Sequence, residues 1–348
     1  MSVLVGLIVM LGMLVVVPVG LRLLDGPQPA TLRLLRRVWP LLALPGAVAL
    51  WLPRSPLAVA LASVYALATL ALALHAPVRL GRVFRIRPDQ RAAFGAVDRK
   101  AEEGDDAEHR RPTTTRRGAA PGVGSPARSG RHGLALTRTL APAEIAALTA
   151  LATPAVAGLA LVAERAGYEL FGFELGILAL TVPHFHFAGF AAALVAGLVC
   201  RTAESRGTRF AALSVPLGTL LVLLGYFVDD WAELAGALVL TAGMWAVALA
   251  TWRELRADAP DPATRLLLGT SAAVLVATML LALSWALGEA TGLPHPNLTW
   301  MAATHGLGNA LGFALCSLLA WRRLAPARTA GAARTPLALP THRTELPA

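Results

Sequence analysis

Hydrophobic residues along the chain gather into long runs separated by short, mostly basic stretches. A helix needs about 20 mainly apolar residues to cross about 30 Å of hydrocarbon. Nine runs approach that length: 2–21, 38–53, 56–78, 143–163, 171–199, 210–228, 231–251, 264–287 and 298–321. The pattern predicts an all-α fold, a polytopic transmembrane helical bundle of about nine spans. The second run is the weakest, being short and broken by Pro40 and Pro45, so residues 38–78 could instead hold a re-entrant segment and one helix. The first run has no basic stretch before it and is followed by Arg22, Arg33, Arg36 and Arg37, which reads as a retained span rather than a cleaved signal.

The polar positions test this count independently. With the N-terminus outside and the C-terminus inside, 22–37, 79–142, 200–209, 252–265 and 322–348 face the cytoplasm. These segments hold every basic residue except Arg54 and Arg165. Cytoplasmic loops carry an excess of Lys and Arg, and a missed span would mix the two sets downstream of the error. The expected location is the plasma membrane, crossed several times.

Composition agrees. Of 348 residues, 56% are hydrophobic and 15% charged, against about 25% charged in a soluble domain. The net charge of +10 does not point to nucleic acid, because the basic residues sit between apolar runs. Lys100 is the one lysine among 31 basic residues, a bias that reads as genome composition. Cys200 and Cys316 both fall in apolar runs, where neither a disulfide nor a two-thiol metal framework is expected.

Four segments follow: a three-helix membrane unit (1–78), a cytoplasmic linker (79–142), a six-helix bundle (143–322) and a tail (323–348). The linker opens on basic residues from Arg79 to Arg91, suited to anionic lipid headgroups. The acidic run Glu102–Glu108 and a Thr/Arg/Gly/Pro/Ser stretch follow, with too little apolar surface to fold. The tail from Pro326 has similar composition. No internal repeat of an inverted-repeat transporter is evident. Asp261 before Pro262 predicts an N-cap, as does Asn297, and Asp230 with Glu233 matches a capping box.

Polar residues inside hydrocarbon are costly and are functional candidates by default. The fifth run carries Leu180-Thr181-Val182-Pro183-His184-Phe185-His186-Phe187-Ala188-Gly189-Phe190, with both histidines near the bilayer midplane. In a regular helix His184 and His186 point about 200° apart, and Pro183 kinks the chain just before them. Glu174, Thr181 and His184 lie in one stripe, while His186 neighbours a small-residue stripe, Gly189, Ala193 and Gly197. Both histidines can therefore face protein, on two sides of the helix. The ninth run carries Thr304-His305-Gly306-Leu307-Gly308-Asn309-Ala310-Leu311-Gly312-Phe313, with His305 and Asn309 on one face and His305 nearer the outer surface. Thr304, Gly308 and Gly312 form a close-packing stripe. Glu174, Asp229, Asp230, Glu233, Glu289 and His295 gather near that surface, so a cavity would open outward.

Each candidate has a plainer reading. The two midplane histidines could simply hydrogen-bond neighbouring helices, His295 reads as loop, and His75 reaches the headgroups. Phosphate loops, nucleophile elbows, zinc-protease motifs, haem-attachment motifs, voltage-sensor ladders and selectivity-filter strings are all absent.

The strings Leu180–Phe190 and His305–Phe313 resemble two motifs of the YndJ-like family of bacterial membrane proteins: an aromatic-rich His-x-His run, and a His-Gly pair followed by Asn-Ala-x-Gly-Phe. Pro183 stands where the family pattern has alanine or valine. The resemblance covers about 170–321. It implies that these residues matter without naming a reaction.

These readings converge on a six-helix bundle around a polar site of His184, His186, His305 and Asn309, with Thr181, Glu174 and Asp229 as further candidates. Neutral imidazoles from two helices could ligate a metal ion or haem iron, the metal ligands then being His184, His186 and His305. Alternatives are a proton- or ion-coupled transporter, a membrane hydrolase, and a non-catalytic scaffold or sensor.

Overall fold

The computed structural model describes residues 3–24, 28–84, 140–203 and 205–332. Among these, all regular structure is helical. The helices are α1 (Val3–Leu23), α2 (Ala30–Ala49), α3 (Pro56–Gly81), α4 (Pro142–Ala166), α5 (Leu175–Ala203), α6 (Arg206–Gly225), α7 (Asp230–Leu255), α8 (Pro262–Thr291) and α9 (Leu298–Ala325). Eight of them, all but α2, are long and apolar enough to cross a membrane. The protein is a polytopic all-α membrane protein. The expected linker disorder, the acidic run Glu102–Glu108, the headgroup contact beyond Phe84 and most of the tail lie outside the described residues.

Helix α2 departs from the apolar pattern. It begins eight residues before the run at 38, and residues 50–53 belong to the turn that follows it. Leu32, Leu35, Trp39, Ala43 and Ala47 form one buried face at helical spacing, while Arg33 and Arg37 lie outside it. That amphipathic stripe, rather than an unbroken apolar run, makes the helix. Its 20 residues reach about 30 Å, and Pro40 and Pro45 are accommodated within it.

Helix starts follow side-chain chemistry. Ser55 precedes Pro56 and accepts from the Ala58 N–H; Ser205 and Thr208 form a reciprocal capping box. Asp261 caps α8 ahead of Pro262, accepting from the Thr264 N–H at 3.0 Å, and Asn297 caps α9 through the Trp300 N–H at 2.9 Å. At α7 the sequence expectation is corrected. Asp229 is the cap, accepting from Ala232 N–H at 2.8 Å, and Asp230 is already the first helical residue. Helices α4 and α8 end on glycines in the left-handed region, Gly167 (φ 66°) and Gly292 (φ 73°).

Residues Met1–Val78 and Ala141–Ala348 fall in one compact unit. The three N-terminal helices therefore share a core with the six that follow. Helix α5 is the axis of that core: from Phe185 to Cys200 every residue but Ala188 is buried. It presents Phe190 to Gly20 of α1, Gly189 to Thr153 of α4 and Gly197 to Ala143 and Ala146 of α4, so the small-residue stripe is where α4 approaches. Helices α6 and α7 meet backbone to backbone. A Cβ on Gly218 would lie 2.5 Å from the Leu240 backbone, and one on Gly236 would lie 2.5 Å from that of Val222.

Arg54 and Arg165, the basic residues outside the cytoplasmic set, have a common structural task. Arg165 is buried and pairs with the buried Glu164, also reaching the carbonyls of Ala49 and Leu52. Arg54 reaches the same carboxylate at 3.0 Å. Together they tie the α2–α3 turn to the end of α4.

Candidate functional site: a histidine-lined chamber

Pro183 has no N–H to offer the Ala179 carbonyl one turn back. Immediately beyond it, from Phe185 to Ala191, α5 widens into π-helical turns. Helix α9 widens likewise over Ala302–Gly306 and Gly308–Leu315, and α1 over Gly12–Val16. Such turns re-aim side chains and are frequent at functional sites. Those in α5, α9 and α1 coincide with both histidine motifs and with the α1 glycine that touches His186, while a further one, Thr251–Leu255, ends α7.

The two α5 histidines serve different places. His184 lines a chamber of about 210 Å³ formed by α5 to α9, with Ile8 of α1 at one wall. Its lining is mostly apolar; the polar exceptions are His184, His305, Asn309, Tyr226 and Glu233. Among the described residues His184 has no hydrogen-bond partner. His305 is held on two sides: its Nδ1 lies 2.8 Å from the Thr278 carbonyl, and its Nε2 3.1 Å from the Asn309 amide nitrogen. Asn309 in turn accepts from the Thr278 hydroxyl at 2.8 Å. These contacts suit a neutral ring that donates through Nδ1 and accepts at Nε2. The stripe behind it packs α8, Gly308 against Thr278 and Gly312 against Val274.

Towards the α6–α7 connection the chamber is bounded by Tyr226 and Glu233, which lie close together. Burial pushes the Tyr226 hydroxyl well above the usual phenol range, and the Glu233 carboxylate adds to the shift. Phe171 and Phe173 stack edge-on against Phe227, and Phe173 also against Tyr226, covering this end from the α4–α5 loop. The α8–α9 loop is latched by His295, whose ring packs on Trp285 and whose Nε2 meets Glu289 at 3.1 Å.

His186 faces the opposite side of α5 and is fully buried. Its Nε2 lies 2.5 Å from the Tyr65 hydroxyl of α3. Its Nδ1 points back at the Val182 carbonyl without closing a hydrogen bond. Gly12 of α1 packs directly on its Cβ. Trp39 of α2 stacks edge-on against Tyr65 and donates to the Met13 carbonyl at 2.9 Å. The result is a second polar node, among α1, α2, α3 and α5.

The expected residues are thus partly brought together. His184, His305 and Asn309 share the chamber; His186 does not. The three histidines do not form one ligand set, because α5 sends its pair to opposite faces. Among the described residues no group of three His, Cys, Asp or Glu side chains is placed to hold a metal ion. Thr181 bonds back to the Ile177 carbonyl, Glu174 is exposed at the start of α5, and Asp229 is a helix cap. Glu233, Tyr226 and Tyr65 complete the polar sites. Glu233 was legible as half of a capping box, which the shift of the cap to Asp229 dissolves, and as one of the polar residues near the outer surface.

Fold and site together define a multi-pass membrane protein with a chamber between its apolar helices. The chain belongs to the YndJ-like protein family, whose model matches residues 7–96 and 122–313 and so takes in both histidine motifs, Tyr65 and Glu233. No curated protein and no solved structure matches the chain.

Proposed function

We propose that this protein binds a small molecule in the chamber, with an apolar body against the walls and a polar end at His184. The observation that carries the reading is the lining itself. An apolar cavity with a few convergent polar groups is the usual form of a ligand site, and His184 is the one histidine there whose ring nitrogens are not engaged. Metal or haem ligation has less support, since the chamber offers two imidazoles and the Nε2 of one accepts from Asn309. Binding is also the step that a transporter and a membrane hydrolase would share.

The arginine distribution supports a plasma-membrane orientation with the N-terminus outside, which opens the Glu233 end of the chamber outward. The basic residues that follow α3 would then meet anionic headgroups on the inner face.

Native mass spectrometry of protein released from its own membrane tests the binding reading. A one-to-one small-molecule adduct is expected on the wild type, reduced in His184→Ala and lost in Ala237→Trp, which fills the chamber. A bare wild-type protein, or the same adduct on all three, would overturn it.

A further inference from the structure

Within that reading, which it presupposes, the chemistry of the ligand can be narrowed. The chamber lining contains one carboxyl side chain, that of Glu233, and no arginine or lysine. The end of the bundle where it sits is rich in carboxyl groups. Glu169, Glu174, Asp229, Asp230 and Glu289 occupy the loops and helix ends around it, while Arg54 and Arg165 are both held on Glu164. Among the described residues the two arginines at this end pair with Glu164 and not with Glu233. An anion seated in the chamber would lie beside a carboxyl group with no arginine or lysine in the lining to offset it.

The walls favour the opposite sign. Phe187, Tyr226, Trp285 and Phe313 contribute aromatic rings to the lining, and aromatic faces attract cations, most strongly when water is excluded. His305, fixed as donor and acceptor by Thr278 and Asn309, adds no charge of its own. His184 has no hydrogen-bond partner among the described residues and faces the same chamber. That marks the space as a ligand site rather than a patch of acidic surface. We propose that the chamber takes a hydrophobic organic cation, an aryl or alkyl ammonium, with Glu233 as its counter-charge. Glu233 then has a binding role that neither a helix cap nor a packing residue would show.

Two compounds of nearly identical shape separate charge from fit: phenyltrimethylammonium and its uncharged isostere tert-butylbenzene. Equilibrium binding is measured on the full chain in zwitterionic nanodiscs, with empty nanodiscs subtracted. The cation is expected to bind the wild type at least about tenfold more tightly than the isostere, a ratio worth about one charge-assisted contact. Glu233→Gln should remove that advantage while leaving isostere binding unchanged, and Glu169→Gln, exposed and away from the lining, should do neither. Equal binding of the two compounds to the wild type overturns the cation proposal and leaves the chamber reading standing, a comparison that needs no variant to fold. Failure of both to bind overturns the two together.

Discussion

At the scale of single residues the sharpest consequence concerns Tyr65 and His186, 121 positions apart in sequence and joined in the core at 2.5 Å. Removing the hydroxyl in Tyr65→Phe leaves the imidazole Nε2 buried without a partner, which typically costs roughly 1–3 kcal/mol. Replacing both partners, Tyr65→Phe with His186→Leu, removes the orphaned group as well, and the double variant should melt closer to the wild type than Tyr65→Phe does. Thermal unfolding in detergent checks this; additive losses would show that the pair is not coupled. His184 should behave differently, since it has no such partner to orphan. The sequence already placed the two histidines on opposite faces of one helix, because their spacing alone dictates it. It could not show that Tyr65 waits on one side and Glu233 on the other. Both are long-range pairings, and Glu233 had a local explanation as a cap that the register of Asp229 removes.

At the scale of helices, glycine positions separate packing from propensity. Gly218 of α6 meets the Leu240 backbone, whereas Gly176 of α5 has open space around its Cβ position. Gly218→Ala must push two backbones apart and should destabilise by about 1–3 kcal/mol. Gly176→Ala meets nothing and should gain up to about 1 kcal/mol from helix propensity. Similar melting shifts for the two would contradict the close α6–α7 approach. The start of α8 carries a pH signature. Asp261 accepts from the Thr264 backbone and hydroxyl and pairs with Arg323 at 3.0 Å. These contacts hold its carboxyl down at about 2, below the ordinary 3.8. The stabilisation is complete above the ordinary value and is lost as pH falls towards about 2. Asp261→Asn, which keeps a capping oxygen, should therefore flatten the acid side of the melting profile between 3.8 and about 2; an unchanged profile would refute the assignment. Helix existence, the caps at Asp261 and Asn297 and the close-packing stripes were all readable, because each is written in local chemistry. Helix α2 was read only as the weakest run and with its start eight residues late, since a buried face interleaved with arginines leaves no long apolar run to mark it. The π-helical turns were not readable, since they follow from Pro183 and from packing across helices rather than from any residue preference.

At the scale of the molecule, the long stretch between α3 and α4 separates the helices in sequence but not in the fold. Tyr65 and Gly12 reach His186, Gly20 takes Phe190, Gly158 sits against Ala66 and Thr69, and Ile8 lines the chamber. The N-terminal helices thus complete the support around α5, and the site depends on them without their carrying its motifs. Covalent continuity through 79–140 should then be dispensable once the protein is assembled. A single protease site placed at Gly118 makes this testable, and reads orientation at the same time. In inverted membrane vesicles the protease should cut, while in cells opened only at their outer face it should not, as the arginine distribution requires. After cutting, the fragment carrying Met1–Val78 and the fragment carrying Ala141–Ala348 should remain together through detergent extraction and affinity purification of either one. They should part when Tyr65→Phe is combined with Gly12→Leu, which drives a side chain into the space His186 occupies. Fragments that separate immediately on cleavage of the wild type would mean that the bundle is held by its connection, and that α1 to α3 are companions of the chamber rather than part of its wall.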